Sequence, residues 1–450
     1  MKTDLIIIGA GPGGYECAVK AAREGLTVVI VEAKAPGGTC LNEGCIPTKC
    51  LCHTAQLLKE TKEAASNGIN CPPPTFDLTA AMARKAAIVK TLGEGIMKLM
   101  QTPGITYVSG IAQLTSAHTV LVGEETYEAD NIIIATGSEA KRLPVPGCDL
   151  PRVITSSEML ALSELPRRLC VIGGGVVGLE FASIFTTFGS EVTVVEYCKE
   201  VLPNFDRDIA RRLRLELKKQ GIVFKTGAAV TGIEESGDET GTYLVQFEEK
   251  GKASVAEADL VLMAVGRKPR TEGLGLEALG IATDRRGIVV DDNMETSAKG
   301  IYAVGDVNGR CALAHAATFQ SYRALNHILE HTDNIRFDII PAAVFTVPEL
   351  ASVGMTEEEC TTAGQEYTSH KAFYRSNGKA LTADAGEGLV KILTAPDGKI
   401  IGATILGLHA SDLIHEISVA MNFDATIDRL RDIIHAHPTL SEIVLAAADN

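Results

Sequence analysis

The sequence lacks any apolar run long enough to cross a membrane, although 46% of its 450 residues are hydrophobic. The N-terminus leads directly into the apolar residues 5–8, which leaves no room for a signal or transit peptide ahead of the fold. We therefore expect a cytoplasmic protein with no membrane partner. A chain of this length allows about three domains.

Positive charge is also in short supply, because 42 lysines and arginines face 57 aspartates and glutamates, for a net charge of −15. Nucleic acids and anionic membranes bind positively charged surfaces. We therefore predict no nucleic-acid partner. The charge is compatible with a basic protein partner, although most acidic surfaces bind no partner.

The eleven cysteines are too few and too irregularly spaced for a disulfide scaffold. The sequence contains no pair of Cys-x-x-Cys elements that would suggest zinc, and we expect no metal site. Most of the cysteines should be buried thiols in a reducing compartment. Cys40 and Cys45 stand apart, because they lie close together within the glycine-rich residues 37–49.

Two stretches carry the dinucleotide fingerprint Gly-x-Gly-x-x-Gly between an apolar strand and a helix pattern. In each, the glycines allow a tight turn, close approach of a pyrophosphate and helix–strand packing, and a later acid can bind a ribose. The offset from first glycine to acid is 23 residues in both, from Gly9 to Glu32 and from Gly173 to Glu196. The glycines are Gly9, Gly11, Gly14, Gly173, Gly175 and Gly178. The repeat predicts two nucleotide-binding domains of one design.

From about residue 338 the pattern changes to short strand-like runs followed by helical patterns, without a nucleotide motif. This is typical of an α+β domain that could supply a subunit interface. We therefore predict an α/β protein with two doubly wound dinucleotide-binding domains plus a C-terminal α+β dimerisation domain.

Upstream of that domain, Asp306 follows a short apolar run. Such an acid can reach a second ribose or a ribityl chain, although alone it is more often a helix cap or turn former.

Cys40 and Cys45 cannot form a disulfide within one regular helix. Residues five apart in an ideal helix lie roughly 8.6 Å from each other, beyond the disulfide limit of about 7 Å. The segment must therefore be distorted, and Asn42 and Gly44 are poor helix formers. A helix that begins near Cys45 would lower the pKa of that thiol. The alternative is a pair of buried free thiols.

Near the C-terminus, residues 435–442 place His435 and His437 ahead of Pro438 and Glu442. Pro438 suits the first position of a helix and would push His437 into extended backbone. A carboxylate such as Glu442 can fix the tautomer of an imidazole that acts as a general acid and base. The two histidines could instead bind a metal ion, or cap the helix.

Together these stretches resemble the flavoprotein disulfide reductases and, within them, the dihydrolipoamide dehydrogenase family. The matching stretches are residues 9–14 with Glu32, 37–49, 136–138, 173–178 with Glu196, 264–267, 305–306 and 435–442. The resemblance implies FAD at the first glycine motif and NAD at the second. It implies an FAD-binding domain at 1–145, an NAD-binding domain at 146–268, a segment completing the FAD site at 269–335, and a dimerisation domain at 336–450.

The resemblance also implies roles for individual residues. Cys45 would face the flavin, Cys40 would exchange with the substrate, and His437, held by Glu442, would be the acid and base across a homodimer interface. The implied FAD residues are Gly9, Gly11, Gly14, Glu32, Gly38, Thr39, Lys49, Ala112, Thr136, Gly137, Asp306 and Ala314. The implied NAD residues are Gly173, Gly175, Gly178, Glu180, Glu196, Val230 and Gly266, with Glu180 also near the flavin.

The resemblance implies oxidation of protein-bound dihydrolipoamide with NAD⁺ as final acceptor. The implied partners are a lipoyl-bearing acyltransferase of a 2-oxoacid dehydrogenase or the H protein of glycine cleavage. Glu196 favours NAD over NADP, because a carboxylate there repels the 2′-phosphate. The alternatives are reduction of another small disulfide or of a metal ion, and a redox-sensing or scaffold protein without turnover.

The sequence departs from the family pattern at two places. Cys50 and Cys52 follow Lys49, where the family usually has small or apolar residues, and they are either inert buried thiols or partners in exchange with the active pair. Gln320 and Ser321 replace a usual Glu-Gly.

Overall fold

The computed structural model describes residues 1–237 and 241–450. The α-helices of this described part are α1 (Pro12–Arg23), α2 (Gly38–Glu43), α3 (Cys45–Glu63), α4 (Leu78–Leu99), α5 (Ser156–Met159), α6 (Val176–Phe188), α7 (Arg207–Lys219), α8 (Ala314–Ile328), α9 (Glu357–Ala363), α10 (Gly378–Thr382), α11 (Ala410–Asn422), α12 (Ile427–Arg431) and α13 (Glu442–Ala448). The strands are β1 (Lys2–Ile8), β2 (Val28–Glu32), β3 (Ile105–Ser109), β4 (Ala112–Ser116), β5 (Thr119–Val122), β6 (Glu125–Ile134), β7 (Ser138–Ala140), β8 (Val153–Ile154), β9 (Arg168–Ile172), β10 (Glu191–Glu196), β11 (Val223–Thr226), β12 (Ala228–Glu235), β13 (Tyr243–Glu249), β14 (Lys252–Ala258), β15 (Leu260–Met263), β16 (Arg267–Pro269), β17 (Thr283–Asp284), β18 (Gly287–Ile288), β19 (Ile301–Ala303), β20 (Ala342–Val344), β21 (Glu349–Gly354), β22 (Thr368–Phe373), β23 (Leu389–Thr394) and β24 (Ile400–Gly407).

One compact unit comprises Met1–Cys50, Thr79–Lys141 and Gly266–Ile335. Its main sheet has the order β3-β2-β1-β6-β5-β4, and β19 also pairs with β6. Strands β1, β2, β3, β6 and β19 are parallel, whereas β4 and β5 form an antiparallel extension of β6. The central strands are apolar on both faces and fully buried, as parallel sheets require; Ile6, Ile7, Ile132 and Ile133 are each 0% exposed.

The second compact unit comprises Leu51–Leu78, Arg142–Val265 and Arg336–Asn450. Its parallel sheet has the order β11-β10-β9-β15-β8. Strands β12, β13 and β14, which lie between β11 and β15 in the chain, form a separate antiparallel sheet. A five-stranded antiparallel sheet, β20-β21-β24-β23-β22, follows toward the C-terminus. These sheets and helices confirm the predicted α/β class, with an α+β C-terminal part.

Helix α11 covers the C-terminal sheet because its apolar residues recur at helical spacing. Leu413, Ile414, Ile417 and Met421 form one buried face. This face belongs to the same hydrophobic core as Val390 of β23. The C-terminal part therefore has a core of its own.

The two glycine motifs fold in the same way. Gly9 and Gly173 both have φ of +108°. A Cβ on Gly9 would lie 2.4 Å from the carbonyl oxygen of Ala135, and one on Gly173 would lie 2.3 Å from that of Ala264. Each first glycine thus passes against the backbone that directly follows β6 or β15, and no side chain fits there. The local geometry agrees with the repeat seen in the sequence.

Among residues 1–237 and 241–450, no helix is both long and apolar enough to span a bilayer. The domain boundaries at residues 145, 268 and 335 stay a prediction, since the compact units are built from interleaved segments.

Candidate functional site

Two helices meet between the paired cysteines. Helix α2 ends at Glu43, Gly44 adopts φ −150° and ψ −105°, and α3 begins at Cys45. The Asn42 side-chain amide donates to the carbonyl oxygens of Pro36 and Gly38, at 3.0 and 2.9 Å. The predicted distortion is therefore confirmed, and the helix break lies at Gly44.

The break brings the Cys40 and Cys45 side chains into hydrogen-bond contact. Both are present as thiols rather than as a disulfide, and both are half-buried. The hydrogen bond to Cys45, and then burial, raise the pKa of the Cys40 thiol, whereas the charge of Lys49 lowers it. Because the two side chains already touch, this bend can form a disulfide that one continuous helix could not.

The cysteine segment packs on the first glycine loop. Gly38 has φ +55°, and a Cβ there would lie 2.7 Å from the Cα of Gly11. The Gly37 N–H donates to the carbonyl oxygen of Ala10 at 2.7 Å. A Cβ on Gly11 would meet only the Gly38 Cα, at 3.9 Å, and one on Gly175 of the second loop would meet nothing within 4 Å. Both loops thus leave the space that a pyrophosphate needs to approach the backbone.

The acids at the ends of β2 and β10 are held in matching ways. Glu32 and Glu196 accept from the N–H of the residue after the first glycine, Ala10 or Gly174, at 2.7 and 2.5 Å. Each also accepts from the N–H two residues after itself, at 2.8 and 2.6 Å. Four backbone hydrogen bonds therefore hold the two carboxylates in matching orientations beside the two glycine loops.

Asp306 lies at the centre of a polar cluster that includes two residues without a predicted role. It is in the 3₁₀ turn Gly305–Asn308 after β19, and the Ser138 hydroxyl donates to its Oδ2. Arg267 donates through Nε to Ser138 Oγ at 2.7 Å and lies 3.8 Å from Asp306. Burial lowers the pKa of the Arg267 guanidinium, whereas the Asp306 charge raises it. Ser138 and Arg267 belong to stretches that match the family, which was the only sequence signal for them.

Gln320, where the sequence departs from the family, supports the same turn. Its side chain is 1% exposed. Its Oε1 accepts from the backbone N–H of Gly305 at 2.8 Å and from Asn308 Nδ2 at 2.9 Å. Asn308 Nδ2 also donates to the carbonyl oxygen of Ala303 at 2.9 Å. Gln320 therefore links α8 to both ends of the turn that carries Asp306.

The other residues assigned to FAD lie in the same compact unit. Thr39 and Lys49 are half-buried on α2 and α3. Ala112 begins β4 and Ala314 begins α8. Thr136 Oγ1 donates to the carbonyl oxygen of Arg270 at 2.7 Å, and Gly137 follows with φ +70°.

The remaining residues assigned to NAD are Glu180, Val230 and Gly266. Glu180 on α6 is 3% exposed, and its Oε1 accepts from the Phe345 N–H at 3.0 Å. Val230 lies at an irregularity in β12, where the register shifts between Val230 and Gly232. Gly266 has φ +105° and directly precedes β16.

His437 and Glu442 form the pair that the sequence indicated. His437 Nδ1 lies 2.9 Å from Glu442 Oε1, and the side chain of His437 is 80% exposed. Glu442 Oε2 accepts from the Thr439 N–H at 2.8 Å. The Thr439 N–H and then His437 lower the pKa of the Glu442 carboxyl. The pairing favours the tautomer with the proton on Nδ1 and leaves Nε2 as the basic nitrogen.

The predicted position of Pro438 was wrong. The helix that follows begins at Glu442 rather than Pro438, and the His437–Pro438 peptide bond is cis. Residues up to Ser441 form a turn instead, in which the Thr439 hydroxyl donates to the carbonyl oxygen of Ala436 at 2.7 Å. Side-chain bonds around Thr439 thus take the place of the first helical turn.

His435 has a different partner from His437. Its Nε2 lies 2.6 Å from Glu416 Oε1, and its side chain is 5% exposed. Burial opposes protonation, but the hydrogen bond to Glu416 raises the pKa of His435. The structure thus separates the two histidines into two carboxylate pairs. Within the described residues, no group of three or more His, Cys, Asp or Glu side chains is arranged to hold a metal ion.

Cys50 is buried and Cys52 is half-buried on α3. Burial raises the pKa of the Cys50 thiol, and the charges of Arg84 and Lys85 oppose this shift. A buried cysteine is out of reach of most disulfides and is usually inert. This environment favours the inert interpretation of Cys50, while the role of Cys52 stays a prediction.

The family comparison agrees with both parts of the chain. Residues 3–321 match the pyridine nucleotide-disulphide oxidoreductase family, and residues 340–448 match the dimerisation domain of the same family. The chain belongs to the pyridine nucleotide-disulphide oxidoreductases. Membership confirms the predicted disulfide oxidoreductase class and the predicted cofactors, FAD and NAD(H), and the glycine loops and acids described above fit two dinucleotides.

Several members of this family are similar along nearly their whole length. The dihydrolipoyl dehydrogenase of Thermus scotoductus is 41% identical, over 100% of this chain and 97% of the relative. The mitochondrial dihydrolipoyl dehydrogenase of Pisum sativum is 40% identical, over 99% and 91%. Among solved structures, the Cu(II) complex of the HOCl-induced flavoprotein disulfide reductase RclA from Escherichia coli has a TM-score of 0.87 and 31% identity, and the match covers 100% of this chain and 99% of that one.

Proposed function

We propose that this chain is a dihydrolipoamide dehydrogenase, which oxidises protein-bound dihydrolipoamide to lipoamide and reduces NAD⁺. The observation that carries the proposal is the contact between Cys40 and Cys45 across the helix break at Gly44. The names of the Thermus scotoductus and Pisum sativum relatives support the choice of substrate.

The reaction begins at a substrate thiol, whose proton passes to His437 Nε2. Glu442 holds the ring through Nδ1 and stabilises the imidazolium that forms. The substrate thiolate attacks Cys40 Sγ, which breaks the Cys40–Cys45 bond and leaves Cys45 as a thiolate. The second substrate thiol then attacks the mixed disulfide. Oxidised lipoamide leaves, and the proton of that second thiol ends on Cys40.

FAD, when bound, supplies the two-electron carrier between the reduced cysteine pair and NAD⁺. The residues proposed to hold it are Gly9, Gly11, Gly14, Glu32, Gly38, Thr39, Lys49, Ala112, Thr136, Gly137, Asp306 and Ala314. The residues proposed to hold NAD are Gly173, Gly175, Gly178, Glu180, Glu196, Val230 and Gly266. Glu196 accepts the ribose hydroxyls and disfavours NADP.

The dimerisation domain at residues 340–448 supports a homodimer. In the proposed dimer, His437 of one protomer serves the cysteine pair of the other, which accounts for its 80% exposure in the single chain. The proposed partners are a lipoyl-bearing acyltransferase or the H protein of glycine cleavage. The proposed location is the cytoplasm.

The test is steady-state reduction of NAD⁺ by dihydrolipoamide with the purified yellow protein. We expect Cys45→Ser and Cys40→Ser to lower kcat by more than about 10³-fold, because each removes one atom of the bond that is exchanged. Cys71→Ser is the control, since Cys71 is an exposed free thiol. Full activity in Cys45→Ser would refute the mechanism. FAD binding without turnover of any thiol would favour the scaffold alternative.

A second candidate is suggested by the structural likeness to a reductase solved as a Cu(II) complex. That candidate is reduction of a metal ion or of another small disulfide by the same cysteine pair. Values of kcat/KM for lipoamide, glutathione disulfide, coenzyme A disulfide and Cu(II), each with NADH as donor, separate the two. If kcat/KM is larger for glutathione disulfide, coenzyme A disulfide or Cu(II) than for lipoamide, that compound becomes the assigned substrate.

A further inference from the structure

The turn that carries Asp306 is supported through one buried oxygen atom. Gln320 Oε1 is the acceptor for both the Gly305 N–H, adjacent to Asp306, and Asn308 Nδ2 at the end of the turn. Gln320 is 1% exposed and Asn308 is 5% exposed. Because these groups are buried, water does not readily replace the acceptor. Removing it would leave the Gly305 N–H unpaired and Asn308 Nδ2 with only its bond to the Ala303 carbonyl oxygen.

A glutamate at position 320 could supply the same acceptor, but with a charge. Asp306 is paired with the cation of Arg267, whose Nε lies 3.8 Å away. Arg267 also donates hydrogen bonds to the hydroxyl and the carbonyl oxygen of Ser138, at 2.7 and 2.8 Å. A carboxylate at position 320 would place a second negative charge against the residue next to Asp306, in a buried environment where screening is weak.

We propose that Gln320 is a positioning residue of the FAD site, which holds the Asp306 turn as an acceptor without adding a negative charge beside Asp306. The flavin of this protein is consequently easier to reduce than it would be with glutamate at position 320. The proposal rests on the proposed place of Asp306 in the FAD site, and it concerns the cofactor rather than the thiol substrate.

The test compares three variants of the FAD-loaded dimer. Gln320→Met keeps the length of the side chain but removes the acceptor. Gln320→Glu keeps the acceptor and adds the charge. Gln101→Glu adds the same charge at an exposed position of the same compact unit and is the control. The readouts are the dissociation constant for FAD and the two-electron reduction equilibrium of the bound flavin against a reference dye, both measured without any thiol substrate.

We expect Gln320→Met to weaken FAD binding by about tenfold or more, because two buried donors lose their acceptor. We expect Gln320→Glu to retain FAD within about threefold of wild type. Its flavin equilibrium should shift about tenfold toward the oxidised form, which is about 30 mV for a two-electron couple. Gln101→Glu should change neither readout.

Wild-type FAD affinity in Gln320→Met would overturn the positioning role, and so would loss of FAD in Gln320→Glu. An unshifted equilibrium in Gln320→Glu would overturn the charge argument. If Gln320→Met does not fold, Gln320→Glu alone decides both points, through its affinity and its equilibrium. Failure of the wild-type protein to oxidise dihydrolipoamide would overturn only the proposed function, since neither readout uses that substrate.

Discussion

Replacing Lys391 by methionine should destabilise the protein more than any single change of a surface charge. Lys391 lies on β23, and its side chain is 1% exposed. Its Nζ donates to both oxygens of Asp206, at 2.8 and 2.7 Å, and to Glu357 Oε2 at 2.9 Å. Asp206 is itself 1% exposed. Removing the lysine therefore leaves a buried carboxylate without its cation, which costs about 3–5 kcal/mol.

The assay is urea unfolding of the FAD-loaded protein, followed by far-UV circular dichroism. We expect a clearly lower midpoint for Lys391→Met. Lys219→Met is the control, because Lys219 contacts Glu216 at a similar distance, 2.8 Å, but is 61% exposed. That control should leave the midpoint unchanged. The double variant Lys391→Met/Asp206→Leu should recover part of the loss, because it removes both buried charges but also removes the Asp206 cap that accepts from the Ile209 N–H of α7.

The pH dependence of this effect has a defined sign. Burial lowers the pKa of Lys391, but the hydrogen bonds to Asp206 and Glu357 outweigh it and raise that pKa. The stability from Lys391 is thus complete below its ordinary pKa of about 10.4 and is lost as the pH rises through the higher folded value. Burial raises the pKa of Glu357, but Lys391 outweighs it and lowers that pKa. The stability that Glu357 contributes is complete above about pH 4.3 and is lost as the pH falls through the lower pKa of the folded state.

Equal urea midpoints of the wild type and Lys391→Met at pH 7 would refute the reasoning.

Three further predictions concern the site. Glu442→Gln should lower kcat for dihydrolipoamide oxidation by roughly 10²-fold in steady-state assays, because the imidazolium of His437 loses its carboxylate; Glu416→Gln, beside His435, should have a much smaller effect. Gly38→Ala should release FAD on gel filtration, because the added Cβ would lie 2.7 Å from the Gly11 Cα and the backbone φ is +55°. The control Gly95→Ala should retain FAD, because a Cβ on Gly95 would have no neighbour within 4 Å. Glu196→Ala combined with Tyr197→Arg should shift the ratio of kcat/KM values toward NADP⁺ by more than about tenfold, and an unchanged ratio would contradict the ribose role of Glu196.

The sequence was most informative where function depends on residues close together in the chain. The repeat offset predicted two nucleotide loops, and helix geometry required a distortion between Cys40 and Cys45 if the two are to form a disulfide. Glycine turns, acids at strand ends and short helices depend on the conformation of neighbouring residues, so their spacing in the sequence predicts the local structure.

Contacts between distant residues could not be predicted in this way. Lys391 and Asp206 are 185 positions apart, and no local pattern links a lysine within an apolar strand to an aspartate before a helix. The same holds for Arg267 and Ser138, which are 129 positions apart. The Pro438 error has a related cause, because local preference for a helix start was overridden by side-chain bonds around Thr439.

The break at Gly44 also places the two sulfur atoms on helices of very different length. Cys45 opens a helix of 19 residues, whereas Cys40 lies in a helix of six. Each cycle separates and rejoins two sulfur atoms that are about 2.05 Å apart when bonded. The short helix yields more readily than the long one, because it has far fewer backbone hydrogen bonds to resist displacement. We therefore infer that, in the proposed mechanism, Cys45 stays close to its position while Cys40 moves as the bond between them opens and closes.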